Sequence, residues 1–171
     1  MTYHPPTFHA LARAIVYQQL SGKAASTIFG RFELACGVRK LNPVAVLAVS
    51  EEQMRAAGLS GQKARYIRDL ADKTASGEVR FGRHKKMTDE EIIAELTQVK
   101  GIGVWTVQMF LMFALKRPDV FPVLDLGVRN GMKKLYNIDP QAKHPDYEAI
   151  AENWRPYRSI ASWYMWRSLE I

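Results

Sequence analysis

The sequence predicts an all-α fold. Apolar residues recur at helical spacing along most of the chain, capping signals mark where helices open, and no segment alternates strictly over strand length. Thr7 can cap a first helix carrying Phe8, Leu11, Ile15 and Val16 on one face. A second follows Ser21-Gly22, carries Ala25, Ile28, Phe29 and Phe32, and stops near Gly37. Ser50-Glu51-Glu52-Gln53 has capping-box spacing, and Gly58 ends the short helix it opens. Ser60-Gly61 precedes a helix through Ile67, Leu70 and Ala71. Thr88-Asp89-Glu90-Glu91 is a second capping box, followed by Ile92, Ile93 and Leu96. Beyond Gly101-Ile102-Gly103, a helix from about Trp105 to Leu115 is apolar nearly all round, which predicts a central position. Pro118 and Pro122 hold an extended link before a helix over Leu126–Leu135. Two last helices are expected near Tyr147–Asn153 and Arg158–Leu169.

At 171 residues the chain suits one compact domain, or two small lobes sharing a core. The basic, Gly-containing stretch Ser76–Lys86 reads as a loop within one domain over 1–171, because the helices on both sides need shared cover. Leu20-Ser21-Gly22-Lys23-Ala24 echoes Leu59-Ser60-Gly61-Gln62-Lys63-Ala64. Two independent N-caps are the preferred reading, and two phosphate-binding turns on one face the alternative.

Composition narrows the partners. At 47% apolar and 24% charged the chain is ordinary globular protein, which excludes disordered and fibrous classes. One cysteine, Cys36, excludes a disulfide scaffold, a four-cysteine zinc site and an iron–sulfur cluster made by this chain alone. A single cysteine also fits a reducing compartment. Cys36 lies on an apolar helical stretch and is expected to be buried rather than reactive. The four histidines, His4, His9, His84 and His144, lack metal-ligand spacing. No apolar run reaches membrane-spanning length, and the start Met1–Pro6 is no signal peptide, so no membrane partner is expected. The net charge of +7 favours a polyanion, with nucleic acid ahead of a membrane surface.

The strongest local signal runs from Leu96 to Thr106. A helix enters two glycines around one aliphatic residue, and a second helix starts at once. Ile102 can plug the space between the helices, while N–H groups at Gly101, Gly103 and the new helix start can meet a phosphate. A ligand-free helical hairpin is the alternative. Downstream, Leu115–Arg129 forms a Pro-containing loop ending in one carboxylate, Asp125, amid apolar residues. An isolated aspartate there would usually be a helix cap.

Helix, Gly-Ile-Gly turn, apolar helix, Pro-containing loop and Asp at a helix start together resemble the helix–hairpin–helix DNA glycosylase superfamily (HhH-GPD). Within it the chain resembles the AlkA-type DNA-3-methyladenine glycosylase II branch. The resemblance rests on Gln18-Gln19-Leu20-Ser21 with Lys23-Ala24-Ala25, Gly58-Leu59-Ser60 with Lys63-Ala64, Lys100–Thr106, and Trp154-Arg155-Pro156-Tyr157-Arg158-Ser159. These motifs span nearly the whole chain in the expected order.

The resemblance implies two helical lobes flanking a cleft that takes double-stranded DNA and a flipped base. It assigns the hairpin motif to 89–116 and the loop with its aspartate to 117–125. It makes Asp125 the catalytic carboxylate, and Lys100, Gly101, Ile102, Gly103 and Thr106 the phosphate-binding set. The base pocket maps to Trp105, Met109, Leu126 and Trp166. Met109 and Leu126 stand where the bacterial enzyme has tyrosines, which implies a less aromatic pocket, and Leu124 replaces an acid seen in some relatives. Trp163 and Tyr164 are expected in the core. Gln18, Gln19 and Leu20 match the wedge region, Gln19 at the wedge position itself. Strand-nicking relatives carry a lysine nucleophile two residues beyond the second hairpin glycine. Here that residue is Trp105, so a monofunctional enzyme is implied.

The implied activity is release of alkylated bases of the 3-methyladenine and 7-methylguanine type, leaving an abasic site for base excision repair. No cofactor is required. A structural Na+ or K+ is implied at the carbonyls of Thr97, Val99 and Ile102. The expected partner is DNA bearing alkylated bases, bound by a monomer in a bacterial nucleoid or cytoplasm, or in a eukaryotic nucleus. Two alternatives stand beside this: a non-catalytic helix–hairpin–helix DNA-binding module, and a glycosylase for neutral deaminated or oxidised bases.

Overall fold

Every regular element among the described residues is helical, and no strand occurs there. The computed structural model describes residues 1–139 and 141–171. The chain divides into two compact units, His4–Val107 in one and Gln108–Ile171 with Met1–Tyr3 in the other. The division falls inside a single helix.

The first unit holds α1 (Phe8–Tyr17), α2 (Gly22–Ala35), α3 (Pro43–Leu47), α4 (Glu51–Ala56), α5 (Gly61–Ala75), a 3-10 segment (Phe81–Lys86), α6 (Asp89–Leu96) and the first turn of α7 (Val104–Phe113). Local chemistry sets their starts. Thr7, Ser21, Asn42, Ser50, Ser60 and Thr88 each accept a backbone N–H as N-cap, and Ser50 and Thr88 complete capping boxes with Gln53 and Glu91. The echoing Ser-Gly turns are thus two ordinary caps in the structure. α5 is the organising helix, packed against α1, α3 and α4. Ile67, Leu70 and Ala71 of α5, and Leu11, Ile15 and Val16 of α1, are buried.

The second unit holds the rest of α7, then α8 (Leu126–Tyr136), α9 (His144–Ala151), a 3-10 segment (Glu152–Trp154) and α10 (Arg158–Ser168). α8 packs on α10. Phe121, Val128, Met132, Tyr147, Ala151 and Met165 form its core.

Several expectations are corrected. α3 is absent from the sequence reading, because five residues are too few to show periodicity. The loop Ser76–Lys86 contains a 3-10 turn anchored by buried His84, whose Nε2 lies 2.7 Å from Glu95 Oε1. α9 starts at His144, before the expected Tyr147, because Pro145 is tolerated in a first helical turn. Tyr164 is exposed rather than in the core, while Trp163 is half-buried. Cys36 is half-buried, and burial pushes its thiol up to about 11, which keeps it a poor nucleophile. α7 is buried through Val107, Phe110, Leu111 and Met112, but Val104 and Trp105 at its start are exposed.

Candidate functional site

The hairpin is built by three devices. α6 closes at Thr97, and the next turn is held by the Val99 N–H on the Leu96 carbonyl and the Ile102 N–H on the Val99 carbonyl, both at 3.1 Å. Val99 and Ile102 are buried, so Ile102 acts as the expected plug. Gly101 has φ +79°, and a Cβ there would come within 2.0 Å of the Tyr66 ring, so two independent constraints demand glycine. Space around Gly103 is open. The Lys100 N–H donates to Asp69 Oδ2 at 2.8 Å, and Lys73 Nζ lies 2.9 Å from Asp69 Oδ1. Burial pulls the Asp69 carboxyl up, but these hydrogen bonds and charges outweigh it and hold it below the usual carboxylate range. The carbonyls of Thr97, Val99 and Ile102 are hard oxygen donors of the kind an alkali cation takes. Among the described residues no cluster of His, Cys, Asp and Glu could hold a metal ion.

The turn after α1 is tied to this hairpin. Gln18 Nε2 donates to the Gly101 carbonyl at 3.0 Å and to Thr106 Oγ1 at 3.4 Å. Thr106 is only 5% exposed, so its hydroxyl serves this inward contact rather than an outer surface. Gln19 and Leu20 are exposed, and Gln19 has φ +57°, uncommon for a residue with a side chain.

In the second unit Asp125 caps α8. Its Oδ1 accepts the Val128 N–H at 2.9 Å and the Trp166 indole Nε1–H at 2.8 Å. Asp125 as a whole is 9% exposed. Trp166 is half-buried, stacks on Phe113 with ring centroids 5.9 Å apart, and lies against Gly127, where a Cβ would come within 2.8 Å of its Cδ1. Leu124 (48% exposed) and Leu126 (63%) flank Asp125. Met109 is half-buried, and Trp105, four residues earlier on α7, is 40% exposed.

The loop before Asp125 is latched to the start of α10. Ser159 Oγ donates to the Arg117 carbonyl at 2.7 Å and accepts the Val120 N–H at 2.9 Å. Arg158 Nε and Arg155 Nη1 each donate to the Asp119 carboxylate at 2.7 Å. Burial pulls Asp119 up, but Arg158 above all holds its carboxyl below the usual range. The motif Trp154–Ser159 therefore acts on this loop. Sequence reasoning missed that latch, the Trp166–Asp125 hydrogen bond and the part played by α5.

A helix pair joined by a buried-plug glycine hairpin, followed by a latched loop and a carboxylate at a helix start, defines a helix–hairpin–helix protein. The chain belongs to the HhH-GPD superfamily of base excision DNA repair proteins, matched over residues 12–156. It is 34% identical to YfjP of Bacillus subtilis over 95% of its own length, but spans only 59% of that relative. Among solved structures it resembles the DNA-3-methyladenine glycosidase of Bacillus halodurans, with TM-score 0.88 and 38% identity over 98% of this chain and 76% of that one. It also resembles the Schizosaccharomyces pombe 3-methyladenine DNA glycosylase Mag1 in complex with abasic DNA, with TM-score 0.86 and 35% identity over 100% of this chain and 84% of that one.

Proposed function

We propose that the chain is a monofunctional DNA glycosylase that releases alkylated bases, of the 3-methyladenine and 7-methylguanine type, from double-stranded DNA. The observation that carries this is the fixed carboxylate of Asp125, oriented by an indole N–H and a helix N-terminus at the end of the latched loop. Breaking the N-glycosidic bond builds positive charge on C1′ and O4′ of the sugar. A preorganised carboxylate offsets that charge and takes a proton from the attacking water, whose oxygen bonds to C1′ as the base leaves. A base methylated at N3 or N7 already carries positive charge, so it departs without a protonating acid. The aromatic face of Trp166, whose indole N–H is bound to Asp125, favours such a cation. The similarity to a glycosylase bound to abasic DNA supports DNA as the partner.

The remaining residues take matching roles. The open space at Gly103 and the start of α7 suit a DNA phosphate. The carbonyls of Thr97, Val99 and Ile102 would hold an alkali cation that adds positive charge beside that phosphate. Gln19, exposed on a left-handed turn, is the residue that fills the gap left by the base, while Gln18 ties the turn to the hairpin. We read the protein as a monomer working in the nucleoid, or in a nucleus if its source is eukaryotic.

Incubation with duplex containing 7-methylguanine, followed by alkali, tests the reading. Strand cleavage at the lesion is expected only after alkali, and borohydride should trap no covalent adduct on an abasic duplex, because Trp105 offers no amine. A duplex bound but never converted to abasic sites would refute the enzyme. A robust borohydride adduct would refute the monofunctional assignment.

A further inference from the structure

The geometry points to Lys63 as a positioning residue: it holds the turn 18–20 in the conformation that opens the duplex, and α5 keeps that turn in register with the hairpin. This rests on the reading of the turn as the part that fills the gap behind a flipped base.

Lys63, Tyr66, Asp69 and Lys73 recur along α5 at helical spacing. Each contacts a different part of the same machinery or supports the residue that does. Lys63 Nζ donates to the carbonyls of Val16 and Gln18, both at 2.7 Å. These carbonyls lie at the end of α1, where the helix supplies no partner and its dipole favours a cation. Tyr66 lies against Gly101, so close that no side chain fits there. Asp69 takes the Lys100 N–H, and Lys73 neutralises Asp69. One rigid helix therefore grips both the turn and the hairpin, and Gln18 joins the two directly through the Gly101 carbonyl.

The turn needs such a grip. Gln19 sits in the left-handed region immediately after the carbonyl that Lys63 holds. A glutamine relaxes out of that region unless its neighbours over-determine it. Desolvation by partial burial lowers the Lys63 pKa, while its two carbonyl contacts favour the charged ammonium. Lysine suits the position because one ammonium carries three donors and can bridge two carbonyls on a long stem.

A wedge matters most when the target base must be pulled from a stable pair. Lys63→Met keeps the stem and removes the donors. Single-turnover release of 7-methylguanine is measured for the lesion opposite cytosine and opposite an abasic-site analogue. The variant should lose about tenfold or more on the paired lesion while staying within about twofold of wild type on the unpaired one. Lys63→Gln keeps two N–H donors on a shorter stem and should show the same substrate dependence to a smaller extent. Equal losses on both substrates would mark Lys63 as a merely structural residue, and no loss on either would remove its role; both overturn the inference. Wild-type protein that releases base from neither substrate overturns the glycosylase reading itself, and this inference with it.

Discussion

Replacing Asp125 with asparagine separates its place as a helix cap from its proposed catalytic role. As an N-cap, it accepts the Val128 N–H and the Trp166 indole N–H on the single oxygen Oδ1. An amide carbonyl can take the place of that oxygen and keep both hydrogen bonds. Asparagine is also about as good an N-cap as aspartate, so the cap itself survives. What disappears is the negative charge. Its interaction with the helix dipole is worth about 0.3–1 kcal/mol, and the two hydrogen bonds weaken from charge-assisted to neutral. Folding stability should therefore fall by only about 1–2 kcal/mol.

Catalysis should suffer far more. An amide cannot offset the charge developing on the sugar or accept a proton from water. Loss of one such preorganised group typically costs about 10²–10³-fold, or about 2.7–4 kcal/mol of transition-state stabilisation. The assay is single-turnover excision of 7-methylguanine from a duplex with protein in excess, read by alkaline cleavage on a denaturing gel. Thermal unfolding and affinity for abasic-analogue DNA are measured alongside. A folded Asp125→Asn protein that binds abasic DNA and excises at near wild-type rate would refute the assignment of Asp125.

Trp166→Phe keeps a ring to stack on Phe113 but deletes the indole donor to Asp125, so excision should fall about tenfold with little change in duplex affinity. An unchanged excision rate would show that the indole only packs. Gly103→Asp adds a side chain and a like charge where space is open, so affinity for every duplex should drop by at least about tenfold, with the salt dependence reduced. Filter binding at several salt concentrations reads both quantities, and unchanged affinity would make the hairpin purely structural. The depressed carboxyls of Asp69 and Asp119 give stability that is complete above the unfolded aspartate value of about 3.9 and is lost as pH falls through their folded values. Melting temperature should accordingly decline below about pH 4, and less steeply in Asp119→Asn. An identical acid slope in that variant would remove Asp119 from the account.

What the sequence made legible was mostly local. Both capping boxes, the Ser60 and Thr7 caps and the buried plug Ile102 were readable because their partners lie within a few residues. α3 escaped because its signal is a single Asn-Pro start over five residues. The supports of the site were illegible for a different reason. Trp166 lies 41 residues from Asp125, Lys100 lies 31 from Asp69, and Lys63 lies 45 from Gln18. A hydrogen bond across such separations leaves no periodic trace. The residue types alone are just as compatible with blander roles, a tryptophan with packing and a lysine with solubility. Resemblance implied a base-pocket position for Trp166, but only the folded chain gives its indole N–H a partner.

The leucines on either side of Asp125 draw fold and chemistry together. Leu124 and Leu126 are 48% and 63% exposed, while the aspartate between them is 9% exposed. Folding gains little from leucines left in water, since a fully buried one contributes about 1.5–3 kcal/mol. The backbone geometry of an N-cap followed by the first turn of α8 turns Asp125 inward to the Val128 and Trp166 N–H groups and its neighbours outward. On the proposed reading, the sugar and the extruded base cover those outward leucines. Covering them removes water from around the carboxylate. In the drier setting, the same fixed charge acts more strongly on the cationic sugar than it could in the free protein. The apolar rim would then contribute to the reaction through the dielectric around Asp125, with no polar group of its own.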